Sequence, residues 1–284
     1  MNKKILSEIT RQRKLMTLNE NLPSGFGDGI LSGLEKAILK GLLDTSLGNT
    51  DDSDTDIQLP SVGSPNLDFD YTNVPKSGKI IHKYTGESGK NIDLLIHELE
   101  QAGITNPYTQ LGILSVAAKE SGFKMQPEIS YKNTSNSSIR NIFGRRAARY
   151  TDSELSQLKS DESKFFDAMY GKNSGMKLGN DEVGDGYKFR GRGFNQITGK
   201  ENYRRIGSRI GQNLVANPDL LLNPQIAAQA AIAFVTKGKG VDSFPNFKTP
   251  EEAAIYFADI NSGGSSVKAR NKSLKVLSNF QLIS

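Results

Sequence analysis

The sequence predicts a mainly α domain of the α+β class with one small β excursion, preceded by a helical segment and a flexible linker. Three observations point there. Apolar residues recur at helical spacing from Asn91 to Ala102 and again from Pro107 to Ser121. Helix starts are marked by asparagine or acids beside proline, at Asn106-Pro107 and Pro250-Glu251-Glu252. The glycine-rich stretch 171–198 is where short strands fit, around Tyr187–Phe189 and Phe194–Ile197.

Taken in order, residues 3–20 set Ile5, Leu6, Ile9 and Leu15 among basic residues, an amphipathic helix pattern. Gly25 to Gly29 interrupt it, and Ile30, Leu31, Leu34, Ile38, Leu42 and Leu43 resume it. Residues 1–43 therefore read as a hairpin packed on the main domain or as a docking segment for a larger assembly. From 44 to 79 the composition shifts to Asp, Ser, Thr, Gly, Asn and Pro, which bury little apolar surface, so this is a linker. The folded domain spans 80–284. In it, Ile92, Leu95, Ile96 and Leu99 share one helix face that stops at Gly103, and Asn106 caps a helix ending at Ser121-Gly122. Residues 138–170 carry further helices with a start near Asp152, Gln225 to Val235 form an Ala-rich one, and Pro250 opens another. The loop Asn261-Ser262-Gly263-Gly264 then leads into a final basic helix.

Bulk composition excludes several chemistries. The 284 residues contain no cysteine, which removes disulfides, thiolate-ligated zinc and a thiol nucleophile. Only His82 and His97 are present, too few for a histidine-rich zinc peptidase, and no metal or cofactor is expected. No apolar run reaches the ~18–20 residues of a membrane span, so stable membrane insertion is not expected. The basic N-terminus lacks the apolar core of a signal peptide, so secretion by that route is not expected either. Net charge is +5, yet residues 41–75 hold seven Asp and no Lys or Arg, which leaves +12 on the rest. Such a surface suits an anionic polymer, nucleic acid or bacterial cell wall.

Two stretches carry the chemistry. Gly112 to Phe123 places Glu120 in the last turn of an apolar helix, where the negative helix end and partial burial favour the protonated form that a general acid needs. Glu128 follows eight residues on, and a loop between the two can set them across a groove with room for water, the inverting arrangement of glycoside hydrolysis. The second stretch, Gly184 to Tyr203, has Gly191-Arg192-Gly193 for close backbone approach. Gln196, Thr198 and Asn202 offer groups for sugar hydroxyls or a nucleophilic water, and Tyr187, Phe189, Phe194 and Tyr203 offer faces for stacking. The same residues can equally be an ordinary turn with its aromatics in the core. A rival lies in Arg190-Gly191-Arg192-Gly193-Phe194, which partly matches the start of an RNA-recognition strand, although Asn195-Gln196-Ile197 do not continue its aromatic face.

With these residues laid out, 80–284 resembles the lysozyme-like members of glycoside hydrolase family 19, the chitinase-related peptidoglycan hydrolases found among phage endolysins and tail-associated lysins. Asp185 to Tyr203 is similar to that family's Gly-Arg-Gly-aromatic-x-Gln-Leu/Ile-Thr/Ser block ending in Asn-Tyr, and Ala118-Lys119-Glu120-Ser121-Gly122 to its His-Glu-Ser-Gly segment. The resemblance implies a two-lobed lysozyme-like fold and β-1,4 glycosidic cleavage of peptidoglycan strands without a cofactor. It implies Glu120 as general acid, Glu128 as general base, Thr198 as a positioner of water, and Gln196 and Asn202 as sugar contacts. Tyr131, Tyr187, Phe194 and Tyr203 join these as candidate substrate contacts, and Asn261 and Arg270 match a late element bordering the cleft. Lys119 stands where the family has histidine, and Phe123 replaces the second glycine of Glu-Ser-Gly-Gly, shortening the spacing to Glu128 by one. Chitinase activity is the alternative within the enzyme class, and a non-catalytic wall- or nucleic-acid-binding module of a phage particle the alternative outside it. Residues 1–43 would then dock on phage tail or baseplate proteins, placing the protein on the virion or in the host cytoplasm before release. No nucleic acid partner is expected.

Overall fold

The computed structural model describes residues 79–283; the expected helical segment 1–43 and the linker 44–79, Lys79 apart, lie outside the described residues. Strand β1 (Ile80–His82) is followed by helices α1 (Gly86–Gln101), α2 (Pro107–Ser121), α3 (Asn136–Phe143), α4 (Arg145–Ala148), α5 (Asp152–Ser160) and α6 (Glu162–Tyr170). After these come α7 (Asp185–Lys188), α8 (Lys200–Ile210), α9 (Pro224–Thr236), α10 (Pro250–Ser262), α11 (Val267–Val276) and strand β2 (Phe280–Leu282). The mainly helical expectation holds.

Local sequence explains the helix ends. Asn106 accepts hydrogen bonds from the N–H groups of Tyr108 and Thr109 at 2.9 and 3.1 Å, Pro107 fills the first position, and Gly122 ends α2 in the left-handed region. Thr151 and Glu154 form a reciprocal capping box at the start of α5. Thr249 caps α10, whose first turn carries Glu251 and Glu252 against the helix dipole. That helix continues through Asn261 and Ser262, so the expected loop there begins only at Gly263.

The expected β excursion sits elsewhere. Tyr187 lies on the short helix α7, and Phe194 lies in a turn closed by a single bridge between Arg192 and Ile197. The reason is non-local: the Asp167 carboxylate at the end of α6 accepts from the N–H groups of Gly184 and Gly186 at 2.6 and 2.8 Å, which winds this segment into a helical turn. The sheet is instead the antiparallel pair of β1 and β2, in register Ile80 with Leu282 and His82 with Phe280, joining the two ends of the domain.

Buried side chains divide into a large body and a small one. The large body centres on α1, α2, α9 and α10, with Leu95, Leu114, Ala228 and Phe257 fully buried. A neighbouring cluster of Phe189, Tyr203, Ile206 and Leu221 is continuous with it through Phe234. Separate from both, Ile139, Phe143, Leu155, Phe165, Phe166 and Met169 form the small body from α3 to α6. This gives the two lobes expected. In the large lobe α2 and α10 lie almost backbone to backbone: a Cβ on Gly112 would sit 2.7 Å from the Cβ of Ala253 and 2.8 Å from the Phe257 ring. Only glycine permits that approach.

Candidate active site

The turn after α2 is unusual. Gly122 and Phe123 both have positive φ, 57° and 61°. For phenylalanine this is a strained conformation, held here because the ring is fully buried and packs edge-on against Tyr84, Phe194 and Phe280. Asn91 of α1 donates to the Phe123 carbonyl at 2.8 Å and Ser88 to that of Gly122 at 3.1 Å, pinning the turn to the large lobe. The residue that replaces the family's second glycine is thus a packing anchor under Glu120.

Glu120 lies in the last turn of α2, as expected. Its Oε1 receives two donors, the Lys119 ammonium at 2.5 Å and the Asn261 amide at 2.9 Å. Asn261 belongs to the last turn of α10, so the close α2–α10 packing at Gly112 is what brings it within reach. In turn its Oδ1 accepts from the amide of Asn195, a buried residue of the Gly-Arg-Gly turn, at 3.0 Å.

Glu128 is held from the other side. Tyr131 and Tyr170 of the small lobe donate to its Oε1 at 2.8 and 3.0 Å, and the Gly191 N–H approaches Oε2 at 3.4 Å. The backbone is clamped too, Glu128 N–H donating to the Gly191 carbonyl at 2.7 Å. A Cβ on Gly191 would meet the end of the Gln196 side chain at 2.8 Å and Oε2 of Glu128 at 3.4 Å, so a larger residue here would crowd both groove side chains. Burial pushes the Glu128 carboxyl above its ordinary range; the two tyrosines, Gly191 and the charge of Arg146 offset part of that rise. The same burial, together with the Glu128 charge, raises both tyrosines, which stay protonated donors.

Glu120 and Glu128 line one open groove of about 400 Å³ with Lys124, Tyr131, Tyr170, Gln196 and Thr198. The structure therefore brings together Glu120, Glu128, Thr198, Gln196 and Tyr131 of the residues singled out from sequence, with Asn261 directly behind Glu120. The Thr198 hydroxyl donates to the Gln196 carbonyl at 3.0 Å, and Asn202 stands behind it, its amide donating to the Thr198 carbonyl at 2.7 Å and its oxygen accepting from Arg205. Asn202 thus supports the turn.

Other expected contacts are placed differently. Phe194 and Tyr203 are fully buried, with the Tyr203 hydroxyl donating to the Arg190 carbonyl at 2.7 Å, so neither presents a face to the groove. Tyr187 packs against the small lobe under the Arg190 guanidinium, 4.0 Å from its ring centre. Arg270 is paired with Asp259 at 2.8 and 2.5 Å, joining α11 to α10 and holding the Asp259 carboxyl below its usual range. Arg190 and Arg192 point inward onto backbone carbonyls, and their segment is a turn with buried aromatics, which removes the RNA-strand reading of this motif. Two residues were missed. Tyr170 reads in sequence as one more apolar position after Phe166, and nothing marks its hydroxyl. Asn195 carries a faint signal, a buried amide beside Gln196 between Phe194 and Ile197.

Comparison with known proteins bears on the same region. Residues 168–244 match the family model described as chitinase class I, glycoside hydrolase family 19. A glycosyl hydrolase family 19 domain-containing protein of Haemophilus influenzae is 28% identical over 135 residues, 48% of this chain and 64% of that protein. The chain thus spans about two thirds of that relative's length. A crystal structure of a chitinase C mutant overlays with a TM-score of 0.35 at 16% identity, covering 67% of this chain and 84% of that one. Residues 168–244 are thus similar to glycoside hydrolase family 19. The matched stretch includes Tyr170, Gln196, Thr198 and Asn202, whereas Glu120 and Glu128 precede it.

Proposed function

We propose that this protein is a peptidoglycan hydrolase that cleaves β-1,4 glycosidic bonds of cell-wall glycan strands by general acid/base catalysis with inversion. The observation that carries this reading is the placement of Glu120 and Glu128, anchored by separate donor sets, on one open groove beside Thr198 and Gln196. Glu120 donates a proton to the leaving glycosidic oxygen. Glu128, made more basic by burial, takes a proton from water, and the Thr198 hydroxyl helps to hold that water in line. Gln196 contacts the sugar. Two carboxyl groups supply both proton transfers, so the reading calls for no metal or organic cofactor. The basic chain, with pI near 9.1, favours adsorption to an anionic wall.

Chitin is the second reading, favoured by the class I chitinase model that matches residues 168–244. The two substrates share an N-acetylglucosamine β-1,4 backbone and separate in one assay. Purified, outer-membrane-stripped walls and chitin oligomers are each treated with wild type, Glu120→Gln and Glu128→Gln. Turbidity, new reducing ends and the product anomer are then measured. Wall lysis with new reducing ends and an inverted anomer from wild type alone is the expected result. Hydrolysis of chitin oligomers without wall lysis gives the second reading, and equal lysis by Glu120→Gln and wild type ends both. As biological setting we propose a phage lysin carried on the virion, with residues 1–43 as its dock onto tail or baseplate proteins. Detection only in soluble lysate and never in purified particles would remove that part.

A further inference from the structure

Oε1 of Glu120 faces two groups that can only donate where they touch it: the Lys119 ammonium and the Nδ2 of Asn261. An oxygen that accepts from two obligate donors has no place for a proton of its own. The carboxyl proton is therefore confined to Oε2. Lys119 cannot fail in this, but Asn261 can, because a side-chain amide has two faces. Rotated by half a turn, Asn261 would present its Oδ1 to Glu120 and accept a hydrogen bond from a proton carried on Oε1. What prevents the rotation is Asn195, whose amide donates to the Asn261 Oδ1 at 3.0 Å. Asn195 is 5% exposed, and its own Oδ1 is buried without a partner among the described residues. Leaving a buried amide oxygen unpaired opposes folding. The fold accepts this cost in the orientation that points a donor at Asn261.

We infer that Asn195 is a positioning residue that fixes the amide sense of Asn261 and thereby selects which oxygen of Glu120 carries the catalytic proton. This rests on the reading of Glu120 as general acid. Asn195 is buried and does not line the groove, so its effect belongs to proton delivery and not to substrate binding. The charged groups around the relay are Lys119 beside Glu120 on α2, Lys124 and Glu128 in the same groove, and Asp259, already engaged by Arg270, on the helix of Asn261.

Asn195→Leu keeps the side-chain skeleton and removes the donor; kcat on wall fragments should fall about tenfold or more with KM within about twofold. Asn195→Asp separates a donor role from mere packing. Protonated, its carboxyl donates to Asn261 as the amide did; ionised, it can only accept, and pulls Nδ2 of Asn261 away from Glu120. Its activity relative to wild type should therefore be highest at acid pH and decline as pH rises, while Asn195→Leu stays low throughout. Wild-type kcat in Asn195→Leu, or equal losses in the two variants at every pH, would overturn the inference. A reading independent of turnover is the side-chain amide of Asn261 by 15N NMR. In wild type its shift should follow the titration of Glu120, and in Asn195→Leu or ionised Asn195→Asp it should not; an unchanged response in every variant that folds also overturns the proposal. Wild type inactive on both walls and chitin oligomers sinks the functional reading alone, since the NMR comparison still reports the relay.

Discussion

Glu128 shows how one carboxyl can be assembled from opposite influences. Burial raises its proton affinity, and the hydroxyls of Tyr131 and Tyr170 restrain the rise. The folded value lies above the ordinary 4.5, so the folded state holds a proton that the unfolded chain has released. Stability is then fully present below the ordinary glutamate range and declines as pH climbs through the raised value. Thermal melts of Glu128→Gln should show the inactive variant more stable than wild type near neutrality, the gap closing as pH falls towards 4.5. Tyr170→Phe removes a donor that favours the anion, so the acid limb of its kcat/KM profile should move to higher pH than in wild type. An unmoved limb would mean that Tyr170 supports packing alone. At this scale the sequence singled out Glu120, Glu128, Thr198 and Gln196, which the fold sets around one groove. It was not legible at Tyr170, whose partner lies 42 residues away, nor at Phe194 and Tyr203, whose stacking faces are covered by distant parts of the chain.

Helices with local punctuation could be read almost to the residue. Asn106-Pro107 and Ser121-Gly122 bracket α2, and the Pro250 start of α10 stands where its acids place it. The helical turn at 185–188 could not, because Asp167, contributed by another helix, holds its first N–H groups. Gly112 is a similar case, plain in sequence and without a stated purpose until α10 is seen against it. Gly112→Val should force α2 and α10 apart, destabilise the fold by about 1–3 kcal/mol through overpacking, and draw Asn261 off Glu120. Denaturant unfolding measures the first effect. A drop in kcat larger than the change in KM, at a temperature where the variant is fully folded, measures the second. Retained stability and rate would show that the two helices can separate at no cost to the site.

Across the whole molecule, the supports of the two groove carboxylates are divided between lobes. Glu120 with its Asn261 support belongs to the large one, and the tyrosines that grip Glu128 belong to the small one. The groove is the seam where they meet. Charge acts at this scale also. With net charge +5, and seven Asp and no cation in residues 41–75, the remaining chain is strongly basic. Wall lysis should therefore weaken between low salt and about 0.5 M, where the Debye length drops below ~5 Å, while cleavage of a short neutral oligomer should change little. Full lysis at high salt would remove the electrostatic part of adsorption.

The β1–β2 pair has a mechanical consequence. Ile80 faces Leu282 and His82 faces Phe280, so the backbone enters and leaves the domain at the same end of the ribbon. A load applied between the two ends meets the strand bonds one after another, in unzipping geometry, and never several at once in shear. Held at its ends in an optical trap, the domain should give way first at low force as β1 peels from β2. The next element to feel tension is the Phe280–Phe123 contact beneath Glu120. Traction on the ends would thus loosen the turn after Glu120 before it unravels the lobes.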